Sequence, residues 1–334
     1  MKLRGIEFGS CWDAPGIRGW KGEGYWYHHL PIMRSWLSMK GSTFVAKTTT
    51  FPPRIPPEGG NMPVANRAPW EPLEWFPKSI WVDLWGGRTV NAVGLSGPGA
   101  KELLFRGLLD KRPGNEPYLV SFMSGAATAE ERLAELKKFC EYFSRYRFKD
   151  DHVGLQLNIS CPNVGVDPAY LMREALPSLD AVQKLADKGV PIVIKLNVLA
   201  PMEAVEEIAD HPNCDALCVS NTIPFGTLPE QIPWEKLFPN GSPVRARVET
   251  YGNGGYSGPE LLPLVADFVR TGKMRGIKKP WNAGGGIRSA KDVEYLVSMG
   301  RLRRGEDSIF FASAAMVRPW NVPGIIRTAH RMLD

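Results

Sequence analysis

Residues 279–300 read KPWNAGGGIRSAKDVEYLVSMG. A short apolar run enters three consecutive glycines, and a serine that can cap a helix follows. The stretch reads as strand, glycine turn and helix. Backbone N–H groups freed at such a turn and at a helix N-terminus can cradle an anion. Downstream, DSIFFASAAM (307–316) reads as a further strand and VPGIIRTAHRML (322–333) as a closing helix.

The same alternation extends upstream. YLVSFM (118–123), VGLQLNIS (153–160), PIVIKLNV (191–198) and CDALCVSNT (214–222) read as strands. Helices are expected over 128–146, 178–189, 202–211 and 259–272. In the first of these, Thr128 can cap with Glu131 three residues on, and Leu133, Leu136 and Phe139/Cys140 form a helical stripe. STFVAKTTT (42–50) is the first clear strand, and KSIWVDLWG (78–86) fits a hairpin, an insert or a loop. Short apolar strands alternating with helices imply a parallel sheet covered on both faces. A doubly wound sheet is one solution. A closed (β/α)8 TIM barrel fits better, because no glycine-rich nucleotide turn follows the first strand and the glycine-rich turns come late. The whole chain, 1–334, is read as one such domain. It carries an aromatic, glycine-rich segment over about 1–40 and a proline-rich loop insert over about 51–81.

Composition excludes several classes. Apolar residues make up 43% of the 334 and charged residues 23%, as in a globular protein. The net charge of +6 is spread along the chain, which argues against a nucleic-acid site. Five cysteines, at 11, 140, 161, 214 and 218, form no CxxC, so neither a disulfide framework nor an iron–sulfur or zinc set is indicated. MKLRGIEFGS lacks the apolar core of a signal peptide and no run suits a membrane span, so a cytoplasmic protein is expected.

In a barrel, all strand C-termini open on one mouth. Lys47, Asn158, Cys161, Lys195 and Asn221 fall at such ends. Buried lysines suit an anionic or electron-rich cofactor, although snorkelling to the rim is the structural alternative. Asn91, Asn158, Asn163 and Asn221 suit a planar ligand with mixed C=O and N–H edges, with turn capping as the alternative. NAGGGIRS (282–289), FASAAM (311–316) and YGNGGYSG (251–258) suit a phosphate-bearing cofactor. Cys161, in NISCPN (158–163), could be a nucleophile, a redox thiol, a proton carrier or a core residue. The five histidines sit in expected loops or helix ends, which weakens a Cys–His pair.

NISCPN, with AKTTT, NAVGL, IKL, SNT, GGYSG and GGGI in the same order, resembles the class 1 dihydroorotate dehydrogenases from about residue 40 onward. The related domain of dihydropyrimidine dehydrogenases shares much of this pattern. The resemblance implies a barrel holding FMN and a small anionic pyrimidine, with dihydroorotate oxidised to orotate in pyrimidine biosynthesis. Cys161 would remove the C5 proton, and Lys47 would lie between flavin and substrate. Lys195 would sit near the flavin N1–C2=O edge. Asn91, Asn158, Asn163 and Asn221 would hold the substrate, with Thr222 beside them. Gly255, Gly258, Gly285 and Gly286 would take the flavin phosphate together with Ala312 and Ser313. A homodimer and a separate electron-transfer subunit are expected partners, with neither nucleic acid nor membrane.

The chain departs from the family at GLSG (94–97), where glycine–leucine–proline–asparagine is usual, and at GVDP (165–168). Residues 1–40 and 51–81 lack a clear counterpart. Two other readings therefore stay open: an FMN enzyme acting on a related dihydropyrimidine or other cyclic amide, and a non-catalytic flavin- or phosphate-binding barrel.

Overall fold

The computed structural model describes residues 1–65, 71–106, 109–111, 114–147, 152–160 and 173–334. Eight parallel strands form its centre: β1 (Cys11–Asp13), β2 (Phe44–Thr49), β3 (Tyr118–Phe122), β4 (Val153–Asn158), β5 (Ile192–Leu196), β6 (Ala216–Val219), β7 (Trp281–Ala283) and β8 (Ser308–Phe311). Their order is β1-β8-β7-β6-β5-β4-β3-β2. Asp13 donates its N–H to the Thr43 carbonyl at 3.0 Å and Thr43 donates to the Cys11 carbonyl at 2.8 Å, which joins the two ends. The architecture is the expected (β/α)8 barrel.

All eight strands are buried along their length, the pattern of a parallel sheet under a helical layer. β1 was not anticipated from the sequence. At three residues it is too short to give a periodic signal, and glycine-rich loops flank it. Helix α1 (Ala129–Arg147) follows β3 and starts as its sequence requires. Glu131 N–H donates to Thr128 Oγ1 at 3.2 Å, and Thr128 N–H donates to Glu131 Oε2 at 3.1 Å. Its Phe139 stacks on Phe122 of β3 with ring centroids 4.1 Å apart. The helix expected over 178–189 is instead two segments, Ala175–Ala181 and Gln183–Ala186, because Val182 leaves helical geometry at ψ 2°. Helix α2 (Met202–Asp210) precedes β6, α3 (Leu261–Met274) precedes β7, α4 (Ala290–Met299) links β7 to β8, and α5 (Val322–Leu333) closes the chain. Ser289 stands at the N-cap of α4, but its hydroxyl donates to Asp292 Oδ2 at 3.0 Å and caps no amide.

KSIWVDLWG proves to be one arm of a hairpin. Ile80–Asp83 pairs with Arg88–Asn91, which pairs with Gly255–Ser257 and through it with Ile223–Pro224. This antiparallel sheet has its own apolar core, including Val90, Ile223, Trp234, Phe238 and Tyr256. It brings residues from two distant stretches of chain to the barrel mouth.

Candidate active site

A cavity of about 980 Å³ opens at the C-terminal ends of the barrel strands. Lys47, Asn91, Asn158, Lys195, Asn221, Thr222, Gly285, Gly286, Ala312 and Ser313 all line it. Their convergence follows from the topology: β2, β4, β5, β6, β7 and β8 each deliver a residue at or just beyond their end. Asn91 arrives separately, as the last residue of the hairpin strand. Gly255 and Gly258 are not on the lining, although Ser257 between them is. Gly255 instead pairs with Asn91 in the antiparallel ladder, and Gly258 presents its carbonyl to the Gly286 turn. Cys161 and Asn163 lie outside the described residues.

The floor carries two buried cations. Lys47 Nζ donates to the Ser96 carbonyl and sits 4.9 Å from the centre of a Trp20 ring. Lys195 Nζ lies 5.4 Å from the Phe310 ring centre. Both residues are under 9% exposed. An ammonium held at low dielectric by carbonyl and aromatic groups acts on a neighbouring ligand with little screening.

Between them runs a chain of amides and hydroxyls. Asn158 pairs in register with Lys195 across β4 and β5. Asn221 Nδ2 donates to Asn158 Oδ1 at 2.9 Å and to Ser160 Oγ at 3.2 Å. Ser160 Oγ donates to the Lys195 carbonyl at 3.0 Å, and Thr222 N–H donates to Asn221 Oδ1 at 3.0 Å. Asn158 Nδ2 reaches Thr48 Oγ1 at 3.4 Å, and Thr48 shares a hydrogen bond of 2.9 Å with Ser121. The side chains are thereby fixed before any ligand arrives, which lowers the entropy cost of binding.

At the far side, Gly285 and Gly286 turn the chain at φ 140° and 76°, conformations open to glycine. A Cβ on Gly286 would stand 2.7 Å from the Gly258 carbonyl oxygen, so the loop after the hairpin sheet packs directly on this turn.

Several lining residues had no individual signal. Tyr25, Trp26, Tyr27 and His29 come from the glycine–aromatic segment, and Trp75 and Phe76 from the proline-rich insert. The two stretches meet at the mouth. Trp26 Nε1 donates to the Trp75 carbonyl at 2.8 Å, and the Trp26 ring lies 5.1 Å from Trp75 and 5.5 Å from Phe76. The abundance of aromatics was visible in the sequence, but the contact across 49 residues was not. His29, expected in a loop or at a helix end, ends the short turn Trp26–His29 and reaches the cavity. Its neighbour His28 is pushed down to about 4 by burial and by His29, so it is neutral at pH 7.

Burial pushes the thiols of Cys140, Cys214 and Cys218 up to about 12, and Cys11 is raised as well. These four are core thiols with little thiolate at neutral pH. Among the described residues, no cluster of His, Cys, Asp or Glu is arranged to hold a metal ion. No described helix is long and apolar enough to cross a membrane.

No family model matches the chain. Curated proteins do. The catalytic subunit of dihydroorotate dehydrogenase B (NAD(+)) from Anoxybacillus flavithermus is 26% identical over 254 residues, 73% of this chain and 70% of that protein. Its counterpart from Bacillus pumilus is 28% identical over 259 residues, 74% of this chain and 72% of that protein. A Solibacter usitatus protein, provisionally assigned as dihydroorotate dehydrogenase A (fumarate), is 28% identical over 238 residues, 68% of each chain. The similarity covers 68% to 74% of this chain at low identity. The chain is thus similar, at a distance, to class 1 dihydroorotate dehydrogenases.

Proposed function

We propose that this chain is an FMN-dependent oxidoreductase acting on a CH–CH donor, and that it oxidises (S)-dihydroorotate to orotate in pyrimidine biosynthesis. The observation that carries the reading is the Asn158–Asn221 carboxamide pair, set beside buried Lys47 and Lys195 on the floor of one cavity. The relatives' names point to the same substrate.

The donor set suits FMN. Lys195 and Lys47 would face the electron-rich ring system, and Gly285, Gly286, Ala312 and Ser313 would receive the phosphate, with Gly255 and Gly258 supporting that loop. When bound, FMN supplies the two-electron acceptor for the hydrogen leaving C6. The chain's own work is to bind, orient and move one proton. Asn91, Asn158, Asn163 and Asn221 hold the carbonyl and N–H edges of the pyrimidine, with Thr222 adjoining. Cys161, matched through NISCPN, takes the C5 proton as thiolate. The fixed positive charges of Lys47 and Lys195 stabilise negative charge that develops near them. The aromatic residues at the mouth exclude water from the floor. A homodimer and a separate electron-transfer subunit complete the proposal.

Reconstitution tests the reading. Purified protein incubated with FMN is expected to turn yellow, and orotate is expected to perturb its visible spectrum. Protein that stays colourless after FMN loading contradicts it.

The aromatic mouth favours a second reading, in which the same floor serves a related cyclic amide larger than dihydroorotate.

A further inference from the structure

The floor of the cavity already offers enough polar groups for a small heterocycle. The mouth offers something a small heterocycle does not need. Trp75 is 71% exposed, Phe76 78% and Trp26 37%, yet all three line the same cavity as the asparagines. Tyr25 and Tyr27 continue this wall, stacked 6.0 Å apart with an interplanar angle of 10°. Large aromatic faces left open to water at a cavity mouth are costly, and they mark a binding surface.

Two polar side chains of the rim are turned to other work. Glu74 Oε2 accepts the Lys78 N–H at 3.0 Å, and Arg247 donates to the Ile80 carbonyl at 2.6 Å. Both hold the insert in place. The aromatic faces beside them stay open to a ligand.

We propose that the rim is an extension subsite, and that beside dihydroorotate the cavity takes cyclic amides bearing an uncharged aryl or other bulky apolar substituent. The heterocycle sits on the asparagine floor and the substituent lies against Trp75, Phe76 and Trp26. This rests on the reading of the floor as a cyclic-amide site. The occupant is defined by continuity: the rim and the floor are walls of one cavity.

Calorimetric titration tests the subsite with or without bound flavin. The probes are uracil and its 1-benzyl, 5-benzyl and 6-benzyl derivatives, each against the full chain and against a Trp75→Ala/Phe76→Ala variant. Covering one face of a phenyl ring is worth about tenfold in affinity. At least one benzyl derivative is expected to bind about tenfold more tightly than uracil. The variant is expected to bring that ratio close to one. Both replaced side chains are largely exposed, so the variant tests binding and not folding. If no benzyl derivative exceeds uracil, or if the gain survives in the variant, the subsite is overturned. The reading of the floor fails separately: uracil then gives no heat, and any benzyl binding depends on the rim alone.

Discussion

Asn221 donates its carboxamide N–H to Asn158 Oδ1 at 2.9 Å, and this bond ties the end of β6 to the end of β4 over the intervening β5. The pair turns two separate strand ends into one rigid polar surface. Ser160 Oγ accepts from the same Asn221 Nδ2, and the Thr222 N–H donates to Asn221 Oδ1.

Asn221→Ala would leave the Asn158 oxygen and the Thr222 N–H without this partner. A buried polar group stripped of its partner costs about 1–3 kcal/mol. Orotate affinity is therefore expected to fall by about tenfold to a hundredfold. Titration of the flavin spectrum with orotate measures it.

The Gly286 turn is expected to be intolerant of any side chain. Its φ of 76° is unfavourable for alanine, and the new Cβ would meet the Gly258 oxygen at 2.7 Å and the Leu262 nitrogen at 2.9 Å. Both are backbone atoms and cannot rotate away. Gly286→Ala should cost about 1–3 kcal/mol and weaken FMN retention. Thermal unfolding and flavin release during dialysis report the two effects separately.

Much of this was legible in the sequence because parallel strands announce themselves locally. Seven barrel strands are short apolar runs, and the polar residue ending each run marks the mouth. Lys47, Asn158, Lys195 and Asn221 could be placed on one site for that reason. β1 was missed because three residues carry no period. The aromatic rim was missed for a different reason. Tyr25–Tyr27 and Trp75–Phe76 meet only through tertiary contact, and nothing in either stretch specifies the other. Gly255 and Gly258, assigned by motif to the phosphate, stand off the lining, next to Asn91 and Gly286.

The base of the barrel depends on Asp307. Its carboxylate is fully buried and accepts from Lys273, from the Arg303 N–H at 2.6 Å and from the Trp281 N–H at 2.8 Å. Burial raises its pKa, but the hydrogen bonds of Arg303 and Lys273 outweigh that and hold it below its ordinary 3.8. A carboxylate with a depressed folded value stabilises above its unfolded pKa, and the stability is lost as pH falls through the folded one. Asp307→Asn leaves the largely buried Lys273 without its carboxylate, while Arg303 keeps Glu306, and should cost about 3 kcal/mol at pH 7. As pH falls below 3.8 the difference from the parent chain is expected to shrink, and denaturant unfolding across pH reads it.

His28 gives the rim segment the same direction of pH dependence in a milder range. Its Nδ1 accepts the Tyr25 N–H at 3.0 Å, and it titrates at about 4 against an ordinary 6.5. The folded form therefore binds fewer protons between these values. The segment is at full stability above 6.5 and loosens as pH falls toward 4. Trp26 fluorescence is expected to shift over that window in the parent chain and not in His28→Gln.

The central claim is that bound FMN is reduced by dihydroorotate through proton removal by Cys161. Anaerobic rapid mixing of the FMN-loaded protein with (S)-dihydroorotate tests it most directly, by the absorbance of oxidised flavin. The account predicts that the colour bleaches with the release of orotate, and that Cys161→Ala keeps its FMN but does not bleach at neutral pH. A yellow protein that dihydroorotate leaves unbleached would contradict the assigned substrate. Bleaching that survives in Cys161→Ala and disappears in His29→Asn would move the base from the thiol to the histidine.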